Sequence, residues 1–161
     1  MKKKNIIELT RIDISGYRQK EKLPVKVMCD NVRSMYNIGA VFRTSDAFLI
    51  DEVILAGISG CPPHPEISKT ALGAEESVKW RYMEDAFAEV LRLQREGWKI
   101  VVLEQVHGSV PLQDYHREEN EKIVLVLGNE VEGVDERIVE AADLCVEIPQ
   151  FGTKHSLNVS C

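Results

Sequence analysis

Three features are missing from this 161-residue sequence, and each absence excludes a class of protein. No apolar run approaches the roughly 20 residues that a membrane-spanning helix needs. No apolar segment follows the basic residues at positions 1–5, which argues against a secretory signal. None of the four cysteines lies in a C-x-x-C pair. We therefore expect a cytoplasmic protein with reduced thiols, no disulfide framework and no metal site.

Positive charge is also scarce, because the net charge is −6. This balance argues against a protein that holds nucleic acid by bulk electrostatics alone. The basic residues are nevertheless concentrated near the start, at Lys2–Lys4, Arg11, Arg18, Lys20, Lys22 and Lys26. Acidic residues gather at 84–96 and 114–140. The split is compatible with an RNA-facing side and equally with a solubilising N-terminal tail.

What is present is the pattern of an α/β domain, and the length suits one domain with a hydrophobic core. Apolar runs typical of strands lie at Val25–Cys29, Glu52–Ala56, Lys99–Leu103, Ile123–Leu127 and Leu144–Ile148. Helical periodicity is found at Ile38–Leu49, Met83–Glu96 and Asp135–Ala142. Continuous apolar strands that alternate with helices predict a parallel sheet flanked by helices. A ligand should then bind at the carboxyl ends of the strands.

The first candidate loop, residues 30–44, follows the first predicted strand and opens a helix. Asn37 is the predicted N-cap of that helix. Gly39 is small enough to let another backbone approach. The segment Lys69–Glu75 consists of small and polar residues, which suit contact with another backbone or a ligand. Arg43 lies in the second turn of the helix, where an ion pair with Asp46 or Asp51 is a purely structural alternative to a functional role.

The second candidate loop, residues 127–134, contains glycines spaced like those of a phosphate loop. No Lys-Ser/Thr follows them, and Glu130 and Glu132 would repel phosphate. The loop suits a cationic ligand better, although a tight acidic turn without a ligand remains an alternative. The third loop, residues 148–160, carries a dense group of polar residues after the last strand. No G-x-G-x-x-G follows the first strand, which excludes the usual dinucleotide fold.

These three loops resemble the signature motifs of the SpoU branch of the SPOUT RNA methyltransferases. The first matching motif is Asn31…Asn37-Ile38-Gly39-Ala40…Arg43-Thr44. The second is Leu127-Gly128-Asn129-Glu130-Val131-Glu132-Gly133-Val134, and the third is Ile148-Pro149…Gly152…Ser156-Leu157-Asn158-Val159-Ser160. The resemblance runs from Val25 onward. It implies a catalytic domain at 25–161 after a short basic extension at 1–24.

The resemblance also implies a fold, a partner and a reaction. The expected fold is a parallel α/β sheet that ends in a C-terminal trefoil knot, in a homodimer. Members of the family continue past the third motif into a helix that this sequence does not contain. The implied reaction is methyl transfer from S-adenosyl-L-methionine to a ribose 2′-hydroxyl of tRNA or rRNA. A non-catalytic RNA-binding relative, or a donor-binding protein without RNA, remains an alternative.

Site residues follow from the resemblance by position. Those that would contact the donor or shape its pocket are Leu127, Gly128, Asn129, Ile148 and Leu157. Those that would handle the ribose hydroxyl, or position it and the substrate, are Arg43, Asn37, Glu130, Ser156 and Asn158. Arginine is protonated at all ordinary pH values, so Arg43 is a poor general base. It could instead stabilise a developing alkoxide or bind a phosphate.

Overall fold

The computed structural model describes residues 3–5, 12–154 and 156–161. Its strands are β1 Leu23–Asp30, β2 Ile50–Ala56, β3 Trp80–Met83, β4 Lys99–Leu103, β5 Val110–Pro111, β6 Ile123–Leu127 and β7 Leu144–Glu147. Its α-helices are α1 Ile14–Gln19, α2 Met35–Ala47, α3 Pro65–Ala71, α4 Ala74–Ser77, α5 Ala86–Arg95 and α6 Glu136–Ala141. A short 3-10 helix covers Leu112–Asp114. The longest of these helices, α2, has 13 residues, and none in the described part of the chain could cross a membrane.

The strands form one seven-stranded sheet in the order β3-β2-β1-β6-β4-β7-β5. Every pairing between neighbouring strands is parallel. The predicted parallel sheet is therefore confirmed, and all five predicted strands are present with ends that differ by at most two residues. Parallel pairing places the carboxyl ends of all these strands at one edge of the sheet.

Both faces of the sheet are covered, because successive side chains of a strand point to opposite faces. The cluster shared with α2 contains Val27, Cys29, Val53, Leu55, Ile38 and Phe42. The cluster shared with α5 and α6 contains Met28, Ile54, Val124, Val126, Val90, Leu93 and Ile138. This two-sided burial explains why the strands appear in the sequence as continuous apolar runs.

Two helix starts differ from the prediction by three residues. The N-cap of α2 is Ser34, whose hydroxyl accepts the backbone N–H of Asn37 at 3.3 Å. The helix thus begins three residues earlier than predicted, and Asn37 lies inside it. The predicted helix Met83–Glu96 is wrong at its start, because Met83 ends β3. Helix α5 begins after Asp85, whose carboxylate accepts the N–H of Ala88 at 3.0 Å.

Helices α2 and α3 pack in direct backbone contact, as the small residues predicted. A Cβ placed on Gly39 would lie 2.3 Å from the carbonyl oxygen of Ile67 and 2.0 Å from the hydroxyl oxygen of Thr70. The Thr70 hydroxyl donates to the carbonyl of Tyr36 at 2.9 Å. The close approach fixes α2, and with it the first motif, against the rest of the domain. Ahead of α3, the His64 imidazole accepts the N–H of Glu66 at 3.2 Å.

From residue 12 onward, the basic N-terminal stretch contains a helix that packs against the domain. Tyr17 of α1 is buried in the main core, and the Arg18 guanidinium donates to the carbonyl of Glu76 at 3.0 Å. Lys26 is buried as well and forms ion pairs with Asp51 and Glu52, so it is not part of a basic surface. Two of the other basic positions, Lys2 and Arg11, lie outside the described residues.

Candidate functional site

A cleft of about 440 Å³ opens at the carboxyl edge of the sheet, beyond β4, β6 and β7. Its walls come from the residues that follow these three strands. The predicted site residues that line it are Leu127, Gly128, Asn129, Glu130, Ile148, Ser156, Leu157 and Asn158. The second and third loops therefore converge, as expected from their positions at the ends of parallel strands.

The second loop folds back on itself directly after β6. The N–H of Asn129 donates to the carbonyl of Gly133 at 2.9 Å, and the N–H of Gly133 donates to the carbonyl of Asn129 at 3.0 Å. The Asn129 side-chain oxygen accepts the N–H groups of Val131 and Glu132 at 2.8 and 3.0 Å. A Cβ on Gly128 would lie 2.4 Å from the carbonyl carbon of Gly133. Only glycine allows this reversal of the chain.

Glu130 and Asn129 tie this loop to the first motif. The Asn129 amide donates to the carbonyl of Asn31 at 2.8 Å. One Glu130 oxygen accepts the N–H of Arg33 at 3.0 Å. The other accepts the N–H of Ser34 at 2.9 Å and the side-chain amide of Asn37 at 3.1 Å. Asn37 is thus joined to the cleft through Glu130 without lining it.

The hydrogen bonds determine the charge state of Glu130. Burial acts to raise the pKa of its carboxyl group, but the N–H groups of Arg33 and Ser34 and the amide of Asn37 outweigh burial and lower the pKa. The carboxylate is therefore ionised at neutral pH, and both of its oxygens already accept hydrogen bonds. Such a group positions its neighbours and is poorly suited to accept a proton from a substrate.

Asp30, the last residue of β1, supports the same region and was not identified from the sequence. One of its oxygens accepts the N–H of Asp135 at 2.9 Å, and the other accepts the side-chain amide of Asn31 at 2.9 Å. Burial raises the pKa of this carboxyl group. The only signal in the sequence was an acidic residue at the end of an apolar strand.

The third loop forms a turn of its own at the end of the chain. The Asn158 side-chain oxygen accepts the N–H and the hydroxyl of Ser160 at 2.9 and 2.8 Å. Leu157 is 47% exposed and lies on the cleft wall, where a ligand could cover it. Val159 packs against the core cluster of α2. Residue 155 of this loop lies outside the described residues.

Arg43 is the one predicted site residue that neither lines the cleft nor bonds to a residue that does. It is exposed on α2, and no described residue forms an ion pair or hydrogen bond with its side chain. Among the described residues Arg43 forms no ion pair with Asp46 or Asp51; Asp46 accepts the hydroxyl of Ser77 at 2.5 Å, and Asp51 pairs with Lys26 at 2.5 Å. The guanidinium is available to an external partner.

The chemistry of the cleft favours a ligand with a cationic part and an apolar part. Four glutamates, Glu104, Glu130, Glu132 and Glu147, are among its lining residues, and no described lining residue is a lysine or arginine. The apolar lining residues are Leu103, Leu127, Ile148, Leu157 and Val159. The four glutamates would repel a phosphate group. The wall after β4 was missed in the sequence, although it lies at the same sheet edge.

Comparison with known proteins identifies the family. The model of the SpoU rRNA Methylase family matches residues 24–161. The chain belongs to this family. The predicted resemblance to SpoU-type methyltransferases is thus confirmed.

Individual SpoU relatives agree with this assignment. The 23S rRNA (guanosine-2′-O-)-methyltransferase RlmB of Neisseria meningitidis is 31% identical over 137 residues, which cover 85% of this chain and 54% of that protein. The chain thus spans about half the length of this relative. A solved TrmH/SpoU tRNA modifying enzyme from A. aeolicus superposes with a TM-score of 0.79 at 28% identity, covering 91% of this chain and 75% of that one. An AdoMet-bound rRNA methyltransferase from Sinorhizobium meliloti has a TM-score of 0.78 at 27% identity, with coverage of 89% and 53%.

Proposed function

We propose that this SpoU-family chain transfers a methyl group from S-adenosyl-L-methionine to a ribose 2′-hydroxyl of tRNA or rRNA. The observation that carries the proposal is the acidic and partly apolar cleft in which the second and third motifs converge. The names of the relatives support the reaction, because they include a 23S rRNA and a tRNA 2′-O-methyltransferase. An AdoMet-bound neighbour of the same fold supports the donor.

The cleft suits this donor in size and in charge. Its volume lies within the range of roughly 300–1,000 Å³ that is usual for small-molecule sites. The donor would supply an electrophilic methyl group on a positively charged sulfonium, which carboxylate walls favour. We assign the contacts to Leu127, Gly128, Asn129, Ile148 and Leu157, whose backbone groups and apolar side chains line the cleft.

On the substrate side, we assign the central role to Arg43. Its permanent charge and its lack of a partner among the described residues suit an RNA phosphate or the alkoxide that develops on the ribose oxygen. Ser156 and Asn158 would position the substrate at the cleft. Glu130 and Asn37 would hold the first motif beside the second. Water or another group would take the hydroxyl proton, since Arg43 cannot.

Four further proposals accompany the reaction, and they concern the knot, the dimer, the domain division and the cellular location. A C-terminal trefoil knot is supported by the return of residues 156–161 to the cleft and by Val159 at the core. A homodimer would bring the exposed Arg43 of one subunit to the cleft of the other, which this chain alone does not do. Residues 25–161 would form the catalytic domain, and the remaining exposed lysines of residues 1–24 would contact RNA. Free cysteines at all four positions suit a cytoplasmic location.

The test is the substitution Arg43→Ala, with Arg95→Ala as the matched control. Arg95 is an exposed arginine on α5, the helix that covers the other face of the sheet. We expect Arg43→Ala to abolish methylation of total tRNA and rRNA by labelled donor, while calorimetry shows unchanged binding of S-adenosylhomocysteine. Arg95→Ala should retain both. If wild-type protein binds S-adenosylhomocysteine but methylates no RNA, the chain is a non-catalytic relative. If Arg43→Ala also loses S-adenosylhomocysteine binding, Arg43 has a structural role.

A further inference from the structure

We infer that Glu104 is a positioning residue of the donor cleft, and this inference rests on the proposed function. Glu104 directly follows β4 and lies on the wall of the cleft that the end of this strand forms. Its carboxylate would hold the Gly128–Val134 loop in the conformation that receives the donor.

The backbone of Glu104 is itself fixed. Its N–H donates to the carbonyl of Val146 in β7 at 3.1 Å, which continues the β4–β7 pairing by one residue. The side chain therefore starts from a rigid element of the sheet. A carboxylate mounted in this way can define the position of a loop that lies opposite.

Both carboxylate oxygens of Glu104 accept backbone N–H groups. One accepts the N–H of Val134 at 3.1 Å, at the point where the second motif ends. The other accepts the N–H of Gln105 at 3.0 Å, which fixes the orientation of the carboxylate. The bond to Val134 joins the β4 wall of the cleft to the loop that follows β6.

Gly133 makes room for this contact. Its φ of +75° lies in the left-handed region, and a Cβ at this position would lie 2.3 Å from the Glu104 oxygen. The carboxylate thus occupies the space that a side chain at 133 would need. The absence of a side chain at Gly133 is therefore what allows the Glu104 carboxylate to reach the loop.

Glu104 also completes the attachment of the loop. Glu130 and Asn129 bind it to the first motif on one side. Glu104 binds it to β4 on the other side. A loop that is held from both sides presents its backbone groups to a ligand without an ordering cost, which increases affinity. We therefore expect the loss of Glu104 to affect donor binding more than the chemical step.

Two substitutions separate the hydrogen bond from the charge. Glu104→Gln keeps the length of the side chain and one oxygen, which can still accept the N–H of Val134, but it removes the charge and the acceptor for the N–H of Gln105. Glu104→Asp keeps the charge but is one methylene too short to reach the Val134 N–H. We expect Glu104→Asp to raise the Kd for S-adenosylhomocysteine and the KM for the donor about tenfold, the size expected for a lost charge-assisted hydrogen bond. The value of kcat should stay within about threefold.

For Glu104→Gln we expect both Kd and KM within about threefold of wild type. Glu119→Ala is the control and should change neither value, because Glu119 is an exposed acidic residue that does not line the cleft. Hydrogen exchange of the Val134 amide gives a readout without ligand, and it should be faster in Glu104→Asp than in wild type or Glu104→Gln.

If Glu104→Gln bound the product more weakly than Glu104→Asp, the Val134 hydrogen bond would not be what matters, and the inference would be overturned in favour of the charge or the bond to Gln105. Equal affinities and equal Val134 exchange in all variants would overturn it as well, while the proposed function stands. Wild-type protein that does not bind S-adenosylhomocysteine would overturn the proposed function together with the inference. Thermal unfolding of each variant checks that the domain is intact.

Discussion

The Gly128→Ala substitution tests the geometry of the donor cleft most directly. The added Cβ would lie 2.4 Å from the carbonyl carbon of Gly133 and 2.4 Å from the nitrogen of Val134. Both are backbone atoms, which cannot rotate out of the way. Ordinary contact begins at 3.4 Å, so the loop must move by the difference, 3.4 − 2.4, or about 1 Å.

A displacement of this size has a large effect on a site built from loop backbone. When the reacting groups of an enzyme are misplaced by about 1 Å, the reaction rate can fall roughly 100-fold, which corresponds to about 2.7 kcal/mol. The movement would also strain the paired hydrogen bonds between Asn129 and Gly133. We expect the Kd for S-adenosylhomocysteine to rise about tenfold, the size expected for one lost hydrogen bond, and the rate of methyl transfer to fall roughly 100-fold.

Calorimetry with S-adenosylhomocysteine measures this change, and circular dichroism checks the fold of the variant. Gly152→Ala is the matched control in the third motif, because a Cβ there meets nothing within 4 Å. It should bind within about twofold of wild type, since no atom has to move. If the Kd of Gly128→Ala for S-adenosylhomocysteine lies within threefold of the wild-type value, the backbone of this loop does not form the donor site.

Two further substitutions test the stability of the domain. Gly39→Ala should lower the free energy of unfolding by about 1–3 kcal/mol, because the new methyl group collides with the Ile67 carbonyl. Urea unfolding measures this change. The control Ala40→Gly, on the same helix, should lower the free energy of unfolding by no more than about 1 kcal/mol. A Gly39→Ala variant as stable as wild type would contradict the close packing. Burial acts to raise the pKa of Glu89, but hydrogen bonds from Arg92 and Arg81 outweigh burial and lower the pKa. The ionised carboxylate therefore stabilises the fold at pH values above its unfolded pKa of about 4.3. This stabilisation is lost as the pH falls through the lower pKa of the folded state. The stability difference between wild type and Glu89→Gln should therefore narrow when urea unfolding is repeated below about pH 4, and a difference that does not depend on pH would refute this account.

The sequence by itself determined the parallel sheet and the edge of the sheet at which the cleft lies. Its strands are apolar on both faces, so their runs stand out without knowledge of their neighbours. Once the strands are parallel, residues that follow them must meet at one edge. The convergence of Gly128, Ile148 and Leu157 was predictable for this reason. The motifs also identified the family, because their residues lie close together along the chain.

The tertiary structure decided which polar groups find partners. Ser34, and not Asn37, caps α2. Glu130 from a distant loop accepts both the N–H of Ser34 and the side-chain amide of Asn37. Lys26 is buried between carboxylates from β2, which a reading of its basic neighbours along the chain could not show. Hydrogen bonds and ion pairs between remote segments depend on the relative positions of whole elements, and local sequence does not encode those positions. Glu104 is the clearest case, since its role depends on a glycine 29 positions later that leaves room for its carboxylate.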